Sequence, residues 1–188
     1  MLEISAEFVR LGADEYYKKL GKRAENDKKE ETAIREWLSQ QPEPKRLNKK
    51  FFVRLGCWKS TRPKPFYEAN DECLIEEVTR LAYELTNDRI KLHILQLLKG
   101  VGVPVASTIL HFLQPDIFAI FDTRVLESLN KAKKWDKAKD DASDETWLEY
   151  TTIMRNLSAN LGVTLRDLEK ALWAHDTGGK QGVQHNVS

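Results

Sequence analysis

Leu97-Leu98-Lys99-Gly100-Val101-Gly102-Val103-Pro104-Val105-Ala106, followed by an apolar stretch and then Phe121-Asp122-Thr123-Arg124-Val125, decides how the fold is read. Two glycines one residue apart bracket a tight turn, where φ is positive or where a side chain would block close approach. Pro104 falls in the first turn of a helix, which tolerates a missing N–H. Val105, Ala106, Ile109, Leu110 and Leu113 then recur at helical spacing. Gly100 to Val103 therefore sit at a helix N-terminus with free backbone N–H groups. Such a terminus binds an anion without any side-chain charge. One acidic residue, Asp122, follows by a helix and a connector.

Working outward, residues 2–25 read as helix, with Ile4, Phe8, Leu11, Tyr16, Tyr17 and Leu20 apolar, and with Gly12 and Gly21 dividing it into two short pieces. Residues 28–40 read as a second helix, ended by Gln41-Pro42-Glu43-Pro44. Residues 46–58 read as helix, and 59–67, with two prolines and a Ser-Thr pair, as a loop. Asn70 is the expected cap of the next helix, whose stripe is Leu74, Val78, Leu81, Ala82 and Leu85. Asn87 or Asp88 caps a helix carrying Ile90, Ile94, Leu95 and Leu98 into the glycine turn. Beyond it, the apolar run Ile117-Phe118-Ala119-Ile120-Phe121 reads as a buried connector rather than a strand. A helix over about 122–131, a charge-dense linker over 131–145 around Trp135, and helices over 145–160 and from Thr164 complete the pattern. The expected fold is all-α, with about eight to ten helices in two packed lobes. Residues 1–44 form an N-terminal helical segment, 45–176 the core with its hairpin at 97–106, and 177–188 a disordered tail.

Composition narrows the function classes. Apolar residues are 41 % of the 188-residue chain and charged residues 31 %, as in soluble globular proteins. No apolar run approaches the length of a membrane span and no signal-peptide pattern opens the chain, so the expected location is cytoplasmic, nucleoid-associated if prokaryotic. Two cysteines, Cys57 and Cys73, in a cytosolic setting argue against a disulfide. The net charge of +1 gives no global case for nucleic acid. Its distribution does: residues 44–67 hold Lys45, Arg46, Lys49, Lys50, Arg54, Lys59, Arg62 and Lys64 without an acid, interleaved with Phe51, Phe52, Trp58, Phe66 and Tyr67. Such a stretch can track a phosphate backbone.

Leu98-x-Gly100-Val101-Gly102-x-x-x-Ala106 with Asp122-Thr123-x-Val125 resembles the helix-hairpin-helix DNA glycosylases, the superfamily of endonuclease III and 3-methyladenine glycosylase II. The resemblance is specific over about residues 88–130 and looser on either side. It implies base excision from double-stranded DNA: the nucleotide is flipped into a pocket, and a carboxylate stabilises the positive charge that builds on the sugar and orients water. Asp122 is the candidate catalytic residue, and equally a good helix N-cap. In many relatives a lysine two residues past the second hairpin glycine forms a Schiff base. Here that position is Pro104, which implies a monofunctional enzyme without lyase chemistry. No cysteine follows residue 126, so no iron–sulfur cluster is expected.

The resemblance also implies a phosphate grip at Gly100, Gly102 and Val105. Lys99, Lys59 and Arg62 are further candidate DNA contacts. Trp58, Tyr16 and Tyr17 are candidates for the base pocket. A monovalent cation, K+ or Na+, is expected on the carbonyls of Gln96, Leu98 and Val101. His111 and His175 lack metal-ligand spacing, and His93 reads as structural. Two other classes stay open: a non-catalytic DNA-binding protein on the same scaffold, and a helical interaction module.

Overall fold

The computed structural model describes residues 2–136 and 142–176. Helix starts are set by side chains. Ser5, Asn48, Asp71, Asn87, Asp122, Ser143 and Thr164 each accept a hydrogen bond from a backbone N–H two or three residues on. The helices are α1 (Ala6–Leu20), α2 (Ala24–Ser39), α3 (Lys49–Lys59), α4 (Lys64–Glu68), α5 (Glu72–Glu84), α6 (Asp88–Leu95), α7 (Val103–Leu113), α8 (Thr123–Lys131), α9 (Asp144–Leu161) and α10 (Leu165–His175). A 3-10 turn, Gly21–Arg23, joins α1 to α2. The described residues contain no strand, and the all-α expectation holds. The expected tail at 177–188 lies outside them.

α7 is the central helix, with every residue from Val105 to Leu113 buried. Its neighbours are α2, α3, α5 and α6. One apolar cluster runs from Val9, Ile34 and Leu38 of the N-terminal segment through Phe52, Leu55, Leu95, Ile109 and Phe121 to Trp147, Leu168 and Leu172. α1 packs along α10. Gly12 does not divide α1; a Cβ there would lie 2.5 Å from Ala171 Cβ, so the glycine is the point where the two helices approach. The chain does turn at Gly21, where φ is +57°.

Three local expectations shift. Residues 59–67 are not all loop: Pro63 and Pro65 stand at the start of α4, where their missing N–H groups cost nothing. Asp71, not Asn70, caps α5. The inner face of α5 is Ile75, Val78, Thr79 and Ala82, while Leu74 is exposed. Thr79 fixes that rotation, since its hydroxyl accepts from Leu47 N–H at 2.9 Å and donates to Ile75 C=O at 2.7 Å.

The run 117–121 is buried from Phe118 onward and makes no sheet, because side chains satisfy its backbone. Ile117 C=O accepts from Arg155 Nε, Phe118 C=O from His111 Nδ1, and Ile120 C=O from the Tyr150 hydroxyl. Phe121 N–H donates to Ser107 Oγ. These bonds from α7 and α9 hold the connector that delivers Asp122.

Candidate active site

Asp122 ends that connector and begins α8. Its Oδ1 accepts from Arg124 N–H at 3.0 Å, so it is the helix cap. Its Oδ2 takes a second bond, from Lys59 Nζ at 2.9 Å. The side chains are 24 % and 14 % exposed respectively, so the pair is largely withdrawn from water.

The pair lines a recess of about 160 Å³ together with Tyr16, Leu20, Arg23, Asp27, Trp58, Ile120, Arg166, Glu169 and Trp173. The recess shares Leu20, Arg23, Asp27, Trp58 and Lys59 with a groove of about 630 Å³ that runs past Lys22, Arg54, Thr61 and Arg62. The groove therefore adjoins a small, aromatic-walled pocket with a carboxylate in it.

Arg166 is the organising charge of the wall. Its guanidinium sits 5.3 Å from the Tyr16 ring centre and 5.2 Å from that of Trp58. Its Nε and Nη2 donate to the two carboxylate oxygens of Glu31 at 3.0 and 2.8 Å, and Nη1 donates to Glu169. Burial alone would raise Glu31, but the hydrogen bonds and charge of Arg166, with Lys170 and Arg35, hold it well below the usual carboxylate range. Burial pushes the Glu169 carboxyl up, against the pull of Arg166 and Lys59. Burial likewise raises Asp27, which accepts from the Tyr16 hydroxyl at 3.4 Å. The N-terminal segment, through Glu31 and Tyr16, is thus tied into the site.

The hairpin is α6, the turn 96–102 and α7. Gly100 takes φ +84°, and a Cβ there would press to 3.0 Å on Phe66 and Tyr67. Gly102 is extended, and a Cβ on it would meet only Pro104 Cδ, at 3.9 Å, so nothing among the described residues demands a glycine there. The N–H groups of Gly100 and Gly102 donate to no acceptor among the described residues, whereas Val105 N–H closes on Gly102 C=O at 3.0 Å. Any anion here meets the two glycine donors, with Val105 already engaged. Gln96 and Val101 carbonyls accept no bond among the described residues, and the Leu98 carbonyl accepts from Val101 N–H. The three are carbonyl donors of the kind a monovalent cation takes, with one of them already shared. Among the described residues no cluster of His, Cys, Asp and Glu could hold a metal ion.

Other sequence candidates fall as follows. Trp58 and Tyr16 line the recess, and Tyr17 is not among its lining residues; its hydroxyl accepts from Lys170 Nζ at 2.8 Å. Lys59 turns inward to Asp122, Arg62 is exposed at the groove, and Lys99 is exposed beside the turn. Many cations of the basic run 44–67 are paired, and Arg54, Lys59 and Arg62 line the groove. Lys45, Arg46, Arg54, Lys59 and Lys64 each meet an acid, respectively Glu43, Glu76, Glu30, Asp122 and Glu68. Phe51, Phe52 and Tyr67 are core, with Phe66 exposed. His111 is buried and structural, its imidazole pushed down to about 3 by burial and by Arg35 and Arg166.

Sequence reading missed Asn70, Arg166, Glu169 and Trp173. Asn70 is buried and clamps the hairpin, with Nδ2 donating to the carbonyls of Phe66, Tyr67 and Lys99 and Oδ1 accepting from Lys99 N–H at 2.7 Å. A signal for the others was present: Arg166, Glu169 and Lys170 stand one helical turn apart among leucines and beside a tryptophan, an unusual charge density on an apolar helix.

No curated protein and no solved structure matches the chain. Residues 68–173, more than half of the chain, match the model of the family described as "Putative 8-oxoguanine DNA glycosylase OGG-like protein". The matched segment contains the hairpin, Asp122, Arg166, Glu169 and Trp173, and no helical segment among the described residues is long and apolar enough to cross a membrane. With an all-helical fold and a carboxylate in an aromatic recess, the chain belongs to this OGG-like DNA glycosylase family.

Proposed function

We propose that the protein is a DNA glycosylase that hydrolyses the N-glycosidic bond of a damaged or modified base flipped out of double-stranded DNA. The observation that carries this reading is the position of Asp122: its carboxylate lines a recess walled by Tyr16, Trp58 and Trp173 and adjoining a larger groove. Bond cleavage leaves an oxocarbenium-like sugar, and a carboxylate in a poorly solvated recess stabilises that cation more than it would in water. The same carboxylate can orient the attacking water. Aromatic walls suit a flat base released from its stack.

The hairpin supplies the grip. Two glycine N–H groups without partners among the described residues, one on a residue that nothing among them requires to be glycine, suit close approach of a phosphate. A K+ or Na+ on the carbonyls of Gln96, Leu98 and Val101 would add positive charge to that grip. Such contacts position DNA without reading its sequence. Pro104 leaves the hairpin without an amine, so base release uses water.

Release of free base from duplexes carrying uracil, alkylated purines or oxidised guanine tests the reading. Asp122→Asn should retain DNA binding and lose about 100-fold or more in turnover. Salt-sensitive binding with no base released from any of them would instead favour a non-catalytic DNA-binding protein, in which Asp122 serves only as a helix cap.

A further inference from the structure

We propose that the groove beside the recess is a second phosphate grip, separate from the hairpin, in which Lys22, Arg23 and Arg62 hold the backbone of the damaged strand next to the flipped nucleotide. The proposal rests on the glycosylase reading for the position of that nucleotide, and it gives the N-terminal segment a part in binding DNA. Lys22 and Arg23 stand in the 3-10 turn between α1 and α2, and Arg62 between α3 and α4. All three precede the matched segment 68–173.

Charge pairing within the groove sets these three apart. Arg54 is held by Glu30, with Nη2 donating to Oε1 at 3.0 Å and Nε to Oε2. Lys59 is turned to Asp122. Lys22, Arg23 and Arg62 are exposed and make neither a hydrogen bond nor an ion pair among the described residues. The remaining acid of the lining, Asp27, accepts from the Tyr16 hydroxyl at 3.4 Å. Outside the two pairs, one acid therefore stands against three cations, a lining that attracts an anion.

Position argues for phosphates beside the flipped nucleotide rather than for a remote stretch of duplex. Recess and groove share Leu20, Arg23, Asp27, Trp58 and Lys59, so the two meet along that edge. A nucleotide whose base enters the recess, with C1′ beside Asp122, leaves its flanking phosphates outside at the mouth. Of the cations on the shared edge, Lys59 is committed to Asp122, which leaves Arg23 for the nearest phosphate. Its planar fork matches two phosphate oxygens. Lys22 and Arg62 extend the grip along the groove. No residue of the turn 96–102 lines either cavity, so hairpin and groove hold different phosphates. The two also differ in kind: the hairpin offers neutral backbone N–H groups, whereas the groove offers full charges, whose contacts with phosphate release counterions.

Binding of a labelled duplex carrying one tetrahydrofuran abasic analogue, measured from about 50 to 200 mM salt, tests this without knowledge of the excised base. In Lys22→Gln/Arg23→Gln the slope of log K against log salt should fall by about 2, and in Arg62→Gln by about 1. Lys28→Gln/Lys29→Gln removes the same charge from exposed residues of α2 that do not line the groove, and should leave the slope unchanged. Ethylation of single phosphates should weaken wild-type binding at the positions flanking the analogue, and this interference should be lost in Lys22→Gln/Arg23→Gln. A wild-type slope retained in both groove variants, or an equal loss in Lys28→Gln/Lys29→Gln, overturns the proposal. Interference confined to phosphates away from the analogue in the wild-type protein overturns it too, whatever the stability of the variants. Base release from a lesion duplex with unchanged slopes would remove only the groove. Lowered slopes with flanking interference, but no base release from any lesion, would remove only the glycosylase.

Discussion

Asn70 holds the hairpin turn to the end of α4, and its removal has a calculable cost. Its amide donates to Phe66, Tyr67 and Lys99 carbonyls at 2.9, 3.1 and 3.0 Å, while its Oδ1 accepts from Lys99 N–H at 2.7 Å. The Phe66 and Tyr67 carbonyls lie at a helix end, where water can replace the amide. The two bonds to Lys99 bridge 29 residues. At about 1 kcal/mol net for each lost bond, Asn70→Ala should cost about 2–3 kcal/mol. For a chain of this size that is a fall in Tm of about 4–12 °C. Urea unfolding gives the stability, and amide hydrogen exchange at Lys99 gives the local effect. Exchange at Lys99 should accelerate by more than global destabilisation accounts for. Asn70→Asp is the sharper case: it keeps an acceptor for Lys99 N–H, loses the donors and sets carboxylate against carbonyl oxygens, so it should be at least as destabilising as alanine. A loss under about 0.5 kcal/mol in either variant would refute the clamp.

Two further outcomes follow from the interior. His111 is neutral in the folded protein, its imidazole held down to about 3 by burial and by Arg35 and Arg166. An unfolded histidine binds a proton below about pH 6.5. The stability due to neutral His111 is therefore complete above about pH 6.5 and lost as pH falls towards 3, by about 3–5 kcal/mol in all; urea midpoints across that range should fall more steeply for the wild type than for His111→Asn. Gly12→Ala places a Cβ 2.5 Å from Ala171 Cβ and should cost about 1–3 kcal/mol by forcing α1 from α10, read as a lowered Tm; an unchanged Tm would mean that the two helices separate freely.

The legible parts of the sequence were those whose causes are local. A glycine turn, a proline at a helix start, an apolar stripe and a capping residue each act within a few positions, and α6, α7 and the start of α8 follow from them. The connector 117–121 was recognised as buried, although the reason it is not a strand lies in Ser107, His111, Tyr150 and Arg155, which pattern alone does not connect to it. In the run 44–67 the pairing was not legible for the same reason: Arg46, Arg54 and Lys59 meet acids from other segments. What could not be read were contacts between distant residues of ordinary kind. Lys59 meets Asp122 across 63 residues, and Arg166 meets Glu31 across 135. Lysines and glutamates are common, and no local spacing marks the two that fold brings together.

These distant contacts bring residues from outside the segment that matches the family up to Asp122. Residues 68–173 supply the carboxylate, the hairpin and one wall of the recess, including Arg166, Glu169 and Trp173. Tyr16, Arg23, Asp27, Trp58 and Lys59 supply the facing wall, and all five precede the match. Both oxygens of Asp122 are engaged, Oδ1 by its own helix and Oδ2 by Lys59. On the proposed function, a substrate sugar reaching that carboxylate must displace Lys59, and the N-terminal residues shape the pocket that a flipped base would enter. Glu31 binds Arg166 on both oxygens and so locks this wall onto α10, which gives the N-terminal segment a defined position at the site rather than a loose one.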